Sequence, residues 1–446
     1  MGRRGPKAAG QVLSSAIVAN FTYMGSKKLL APQIADLVAD MADGPFLDLF
    51  SGIAAVGSQI STQRPIWCND VQNFSTLLTS QKFCAARAFK TANELVESAK
   101  IPYAVNQTRL EEKFGETLAH ERRALASGSA EGTREVITIM SQVDKQISAL
   151  RRQQVHCLLT GSHGATYFGV RQAIELDSIR YAADHLLSRG KVTAEEHGWM
   201  VLALCQTLST VSNSTGHFAQ YLSPSDANIR RVLRKRRMNC WSVWSAALRE
   251  SQPIGNVVWR RGNRIFKSDA IRLLQSLSER VGQPAVIYAD PPYTSDQYSR
   301  YYHVLENAVL YDYPEVSGKG QYRPDRFTSG FSLKAGVDAA FKELISAAAK
   351  LPAVFILSYP TNGLLKNSTK RVLELLADQF AHVEAPLVIP HLHSTMGGSK
   401  GAQKHAVDEN IFVAYQDPVA RWRGKAAATL ATQRTQPILK VEDIAA

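Results

Sequence analysis

The stretch Pro284–Tyr293, reading PAVIYADPPY, constrains this chain more than any other. Val286, Ile287, Tyr288 and Ala289 form an apolar run rich in β-branched and aromatic residues. It is too short for a helix and suits a strand covered on both faces, as in a parallel sheet. Two prolines follow Asp290, and proline has no N–H to give to a ladder, so the strand stops there. In open parallel sheets, ligands bind beyond the carboxyl ends of the strands. Asp290 and Tyr293 fall at that position.

A corner of this kind suits chemistry on an exocyclic aromatic amine. The amino nitrogen is a poor nucleophile because its lone pair is delocalised into the ring. The Asp290 carboxylate and the Pro291 carbonyl are two acceptors for its N–H groups, and together they favour a tetrahedral nitrogen with a free lone pair. Tyr293 is placed to stack on the base, a contact worth roughly 1–3 kcal/mol. The plainer reading is a strand and a Pro-Pro turn, with a surface aspartate and a packing tyrosine.

The upstream sequence supplies the partners such a strand needs. Pro45–Gly57 reads as strand, tight turn and helix, with Asp48, Phe50 and Gly52 at the turn and helix amides available to an anionic group. A second strand, Pro65–Asp70, ends on an acid about 20 positions after the glycine turn, the spacing at which doubly wound folds place an acid on a ribose. The other reading of Asp70 is a helix cap for Asn73–Phe89. From about Thr91 to Trp259 the strand signal disappears. Helices are expected at Thr133–Gln154, Val170–Arg189, Thr193–Ser209 and Asp226–Leu248. Sheet resumes at Val257–Arg260 and Arg264–Lys267, and Asp269 beyond is either a helix cap or an acceptor for an adenine amine. Strand Pro352–Tyr359 and a closing antiparallel hairpin, Val383–Pro390 with Asn410–Tyr415, complete the sheet. The expected organisation is a basic disordered arm (1–19), one catalytic domain in two pieces (20–90 and 257–417), a helical target-recognition insertion (91–256) and a tail (418–446).

Charge points to the partner. Lys plus Arg number 52 against 39 acids, a formal +13, which favours a polyanion. Arg230, Arg231, Arg234, Lys235, Arg236 and Arg237 crowd one helical stretch and cover more than one face, which a simple solvated stripe explains poorly; phosphate contact is the expected reading and a solvated charge run the plainer one. Tyr298, Arg300, Arg323 and Arg326 interleave cations with rings, a mixture suited to stacking and phosphate pairing. His217, in the polar turn Asn213–Phe218, is a base contact or a helix cap. Five scattered cysteines without C-x-x-C spacing read as reduced thiols of a cytoplasmic protein. No apolar run is long enough to cross a membrane. No metal site is expected, His391 and His393 in the hairpin loop lacking a third ligand.

The order Tyr23-Met24-Gly25-Ser26-Lys27, then Asp48-Leu49-Phe50-Ser51-Gly52, then a large insert, then Asp290-Pro291-Pro292-Tyr293 resembles the alpha group of Dam-like DNA adenine-N6 methyltransferases. The run Thr294–Glu306 is similar to the segment after the catalytic motif in that group. The resemblance implies an α/β fold, a Rossmann-like S-adenosylmethionine-dependent methyltransferase sheet with a large helical insertion. It implies S-adenosyl-L-methionine as donor, with Tyr23 and Lys27 near its methionyl end, Asp70 on its ribose and Asp269 on its adenine. Asp290 then stands between cofactor and target amine, and double-stranded DNA is the partner, with a cognate restriction endonuclease a further one. The family's frequent glycine is Ala54 here. Cytosine-N4 methylation, methylation of an RNA or protein amine, and a non-catalytic DNA-binding module on the same fold are the alternatives.

Overall fold

The computed structural model describes residue 21 and residues 27–60, 62, 64–86, 91–278, 282–394 and 404–421. Eight strands form one sheet: β1 (Phe46–Asp48), β2 (Ile66–Asp70), β3 (Arg264–Lys267), β4 (Val286–Ala289), β5 (Val354–Pro360), β6 (His382–Val383), β7 (Leu387–Ser394) and β8 (Lys404–Tyr415). Their order is β3-β2-β1-β4-β5-β8-β6, with β7 paired to β8. β1 through β5 run parallel, and β8 is antiparallel to β5, β6 and β7. Every residue of β1, β2, β4 and β5 is buried, which explains their unbroken apolar runs. β3 is the edge, and its Arg264 and Lys267 face solvent.

The chain leaves β1 toward β2 and β3 on one side and returns through β4 and β5 on the other. The strand order therefore reverses between β1 and β4, paired with Asp48 opposite Tyr288. At such a reversal neighbouring crossovers diverge and leave a crevice at the strand tips.

Apolar helices cover both faces. On one, Phe46, Cys68, Val286, Tyr288 and Ile356 pack with residues of the helices Ala31–Ala39, Asn73–Cys84, Val170–Ser188, Ala194–Val211 and Ser299–Leu310. On the other, Leu47, Ile287, Phe355 and Phe412 pack with Ala270–Ser278, Val337–Ala348 and Ser368–Ala377. The alternation along each strand assigns successive residues to opposite layers. A smaller cluster around Leu110, Phe114, Val136 and Ile174 lies wholly among the helices that separate β2 from β3.

Several expectations are corrected. Val257–Arg260 is a helical turn, not a strand, because Asn256 caps it by accepting the Trp259 N–H at 2.9 Å. Thr133–Gln154 divides into Ala130–Met140 and Asp144–Arg152. Asp226–Leu248 divides into Ile229–Arg236 and Cys240–Glu250, where Asn239 accepts the Ser242 N–H at 2.7 Å and starts a new helix. Two further helices, Ala92–Lys113 and Gly115–Ser127, fill the start of this region. The first opens on a capping box in which Thr91 and Glu94 satisfy each other's backbone N–H groups. The segment after Gly52 is a run of turns ending in the 3-10 helix Gly57–Gln59, not an α-helix. His391 and His393 lie within β7, paired with Val407 and His405, rather than in a loop.

Candidate active site

A cavity of about 360 Å³ opens beyond the carboxyl ends of β1, β2, β3 and β4. Three carboxylates come from three of these tips: Asp70 at the end of β2, Asp269 after β3 and Asp290 after β4. Phe50, Phe327, Phe331 and Ile271 give it apolar walls. A second recess of about 30 Å³ holds Lys27, Asp48, Ser51, Gly52 and Tyr288, and Phe50 and Asp290 wall both spaces. The sheet thus gathers residues 27, 48–52, 70, 269 and 290 at one end.

Asp70 organises the first turn. Its Oδ2 accepts the Gly52 N–H at 2.9 Å and its Oδ1 the Gln72 N–H at 2.9 Å. Gly52 has φ of 52°, a left-handed conformation that favours glycine, and its amide is turned to Asp70 rather than left to an anion. Ala54 has φ of 58°, which disfavours any residue with a Cβ; the glycine that the family often carries there has a conformational reason. Burial raises the Asp70 carboxyl above its ordinary range, opposed by these N–H donors. The helix after it starts at Asn73, whose N–H and that of Phe74 are accepted by Glu306 at 3.1 and 2.7 Å, so Asp70 is not its cap. Asp269 does cap: its Oδ1 accepts the N–H groups of Ile271 at 3.0 Å and Arg272 at 3.1 Å, while the residue also lines the cavity.

Asp290 sits in a buried set of charges. Lys27 Nζ lies 3.0 Å from its Oδ1 and 3.0 Å from Glu409 Oε1. Burial, opposed by Lys27 and helped by the charge of Glu409, raises the Asp290 carboxyl to about 7. Burial acts on Lys27 in the opposite sense, yet the charges of Asp290 and Glu409 prevail and hold its ammonium above the usual lysine range. Asp48, buried on the neighbouring strand, is raised to about 8 by burial and by the charge of Asp290. Burial likewise raises the Tyr293 phenol to about 12.

Tyr293 does not present an open face. It is 5% exposed, packs in the core and lies under Lys27, whose Nζ is 5.3 Å from the ring centroid. The aromatic lining of the cavity comes instead from Phe50, Tyr298, Phe327 and Phe331. Tyr23 lies outside the described residues.

The cationic residues separate into two kinds. Arg230, Arg231, Arg234 and Arg237 are exposed around the helix Ile229–Arg236, with Arg231 donating to the Ser214 carbonyl at 2.6 Å. Lys235 is half-buried and donates to the Thr210 carbonyl. Arg236 is no surface cation: it is buried, 3.2 Å from Glu121 Oε1, and donates to the Ala165 carbonyl. Glu121 also accepts the N–H groups of Val170 and Arg171, so this pair ties three helices together. Arg323 is likewise buried, held 2.7 Å from Asp312 and 2.7 Å from Asp325. Helical periodicity explains Arg236, since five cations in one short helix leave one on the inward face. Arg300 and Arg326 flank Tyr322, with guanidinium carbons 5.5 and 4.5 Å from the ring centroid.

Glu409 has no place in the sequence reading. Its signal is an acid in the run Val407-Asp408-Glu409-Asn410-Ile411, on the same side of β8 as the core residues Val407 and Ile411. No group of three or more metal-ligating side chains occurs among the described residues. The five cysteines are all free. No described helix is long and apolar enough to cross a membrane.

Comparison with known proteins gives the same ordering of parts. A family model described as D12 class N6 adenine-specific DNA methyltransferase matches residues 23–147 and 273–353. The chain is similar to Modification methylase LlaI of Lactococcus lactis subsp. lactis, 22% identical over 325 residues, covering 72% of the chain and 43% of that protein. It is similar to Type II methyltransferase M.FokI of Planomicrobium okeanokoites, 26% identical over 353 residues, covering 77% and 45%. It is also similar to Type II methyltransferase M.NlaIII of Neisseria lactamica, 23% identical over 350 residues, covering 77% and 84%. The chain thus spans less than half the length of the first two. No solved structure matches it.

Proposed function

We propose, for a chain that belongs to the D12 class of N6 adenine-specific DNA methyltransferases, that it methylates the N6 amine of adenine in double-stranded DNA, as the modification arm of a restriction–modification pair. One observation carries the reading: Asp290, between the end of β4 and the two prolines, opens on the same cavity as Asp70, Asp269 and Phe50.

The cavity fits S-adenosyl-L-methionine by its chemistry. It has apolar aromatic walls for a purine, an acid at the tip of β2 where a ribose is held in doubly wound folds, and an acid at β3 beside the purine position. Asp70 and Asp269 are the ribose and adenine residues, and Lys27, Asp48 and Gly52 border the methionyl end. The cofactor, when bound, supplies a methyl on a sulfonium, a leaving group that needs no acid to expel it. The protein's work is therefore alignment and lone-pair activation. Asp290 as carboxylate and the Pro291 carbonyl accept the two N–H groups of the amine, which directs the lone pair at the methyl group. In a duplex this amine is locked in pairing, so the base is extruded at a cost of a few kcal/mol. Arg230, Arg231, Arg234, Arg237, Arg300 and Arg326 offset that cost through phosphate contacts, and Tyr298 is one of the rings lining the cavity.

The test is nucleoside analysis of duplex DNA after incubation with the full chain and methyl-labelled cofactor. Label in N6-methyladenine supports the reading. Label in N4-methylcytosine, or in RNA or protein but not DNA, sinks it.

A further inference from the structure

Glu409 is a carboxyl group set inside the protein. It is fully buried on β8, opposite Pro360 of β5, with Val407 and Ile411 of the core as its neighbours on the same face. Such a group persists only when paired and hydrogen-bonded. Ser358 Oγ donates to its Oε1, and Lys27 Nζ sits 3.0 Å from that same oxygen. Nζ is equally 3.0 Å from Asp290 Oδ1. One ammonium is therefore shared at equal distance between two carboxylates. The second oxygen of Glu409, Oε2, is buried and takes no hydrogen bond among the described residues.

Amine activation gives this sharing a purpose. Asp290 as an acceptor for a neutral N–H is weakened while an ammonium occupies it. Yet Lys27 is 7% exposed, and a Lys27 that left Asp290 with no other carboxylate to turn to would be a buried unpaired cation, at heavy cost. On the reading of function given above, we propose that Glu409 is a positioning residue that gives Lys27 a second seat: as the target amine takes its place on Asp290, the ammonium moves onto both oxygens of Glu409 and stays paired throughout. No proton or covalent bond changes hands in this step; the ion pair with Asp290 is exchanged for a second contact with Glu409. The other ionisable groups facing Asp290 among the described residues are acids: Asp48 from β1, Tyr288 from β4 and Tyr293 from the loop after it. Among these groups Lys27 alone supplies positive charge.

Two measurements on the full chain test this. Aspartate carboxyls labelled with carbon-13 are titrated by NMR without cofactor, with Asp290 assigned from the spectrum of Asp290→Asn. In Glu409→Gln, Lys27 rests wholly on Asp290, so Asp290 titrates lower by about one pH unit, equivalent to a tenfold change in its protonation equilibrium. Lys27→Met moves it upward. Glu409→Asp, which keeps the charge but withdraws it by one methylene, gives a smaller shift in the same direction as Glu409→Gln and serves should that variant misfold. Methyl transfer to duplex DNA is then followed against pH. Glu409→Gln lowers the plateau kcat about tenfold or more and moves the acid limb down with the titration, whereas the Lys27→Met/Glu409→Gln double variant matches Lys27→Met alone. A slower Glu409→Gln or Glu409→Asp with unmoved Asp290 titration overturns the proposal, as does a double variant whose losses multiply. Wild-type protein that leaves DNA unmethylated overturns the reading of function instead, and the titration still reports how Lys27 is shared.

Discussion

Replacing Asp290 by asparagine tests the mechanism most directly. The amide keeps the volume of the carboxylate, so the walls of the cavity stay in place, but it turns a charged acceptor into a neutral one with an NH₂ group facing Lys27. Lys27 retains Glu409 at 3.0 Å, so the change does not create an unpaired buried cation and the fold survives. The loss is one pre-aligned acceptor at the reacting nitrogen. Removing a comparable transition-state donor elsewhere costs about 2.7–4 kcal/mol, or about 10²–10³ in rate. The same residue sets the pH dependence. With its carboxyl raised to about 7, Asp290 is acceptor-competent only after losing its proton. The wild-type rate therefore rises about tenfold per pH unit below that value and levels off about one unit above it. The assay is single-turnover transfer of labelled methyl to duplex DNA from pH 5.5 to 9, with cofactor affinity measured by calorimetry. Asp290→Asn should lose at least about 10²-fold at the plateau, bind cofactor with modest weakening and lack the acid limb. A variant within tenfold of wild type, or one retaining the limb, refutes the assignment.

Other perturbations have distinct signatures. Asp48 is raised to about 8, so its native form prefers the proton and its contribution to stability is lost as pH climbs from about 4 through 8, at up to about 1.4 kcal/mol per unit. Asp48→Asn should flatten that decline in cofactor-free thermal or urea melts, and an unchanged pH–stability curve contradicts it. Arg234→Ala should weaken DNA binding uniformly across sequences and reduce the slope of log affinity against log salt by about 1. Arg236→Ala, two residues on, should instead cost about 3–5 kcal/mol of stability by stranding Glu121; equal melting temperatures for the two variants would contradict the separation.

The legible and the hidden parts of the sequence divide by the range of the interactions involved. β2, β4 and β5 were legible because each is a local run of buried β-branched and aromatic residues. Asp70 and Asp290 were legible because each ends such a run. Val257–Arg260 misled because two valines outweighed a single asparagine, yet that asparagine's cap fixes the local conformation. The helix breaks at Ser141–Val143 and Arg237–Asn239 were hidden because the apolar period continues across them. Arg236 and Arg323 read as surface charges because their carboxylates, Glu121 and Asp312, are set beside them only by the fold. Charge density reports a basic surface; it does not report which member of the set turns inward.

Lys27 and Glu409 mark the limit of local reading and explain why the antiparallel strand matters to the site. A purely parallel sheet ends at the same level on each strand, so acids at its tips line one open crevice. β8 runs the other way, and its register with β5 brings residue 409, the sixth of a twelve-residue strand, level with Pro360 at β5's carboxyl end. An acid can thus approach Asp290 from behind, inside the protein, while Asp70 and Asp269 approach from the cavity. Lys27, just before the helix Ala31–Ala39, closes the gap between them. The site accordingly has a solvent-facing half, which a motif encodes, and a buried half, which only the pairing of the last strand creates.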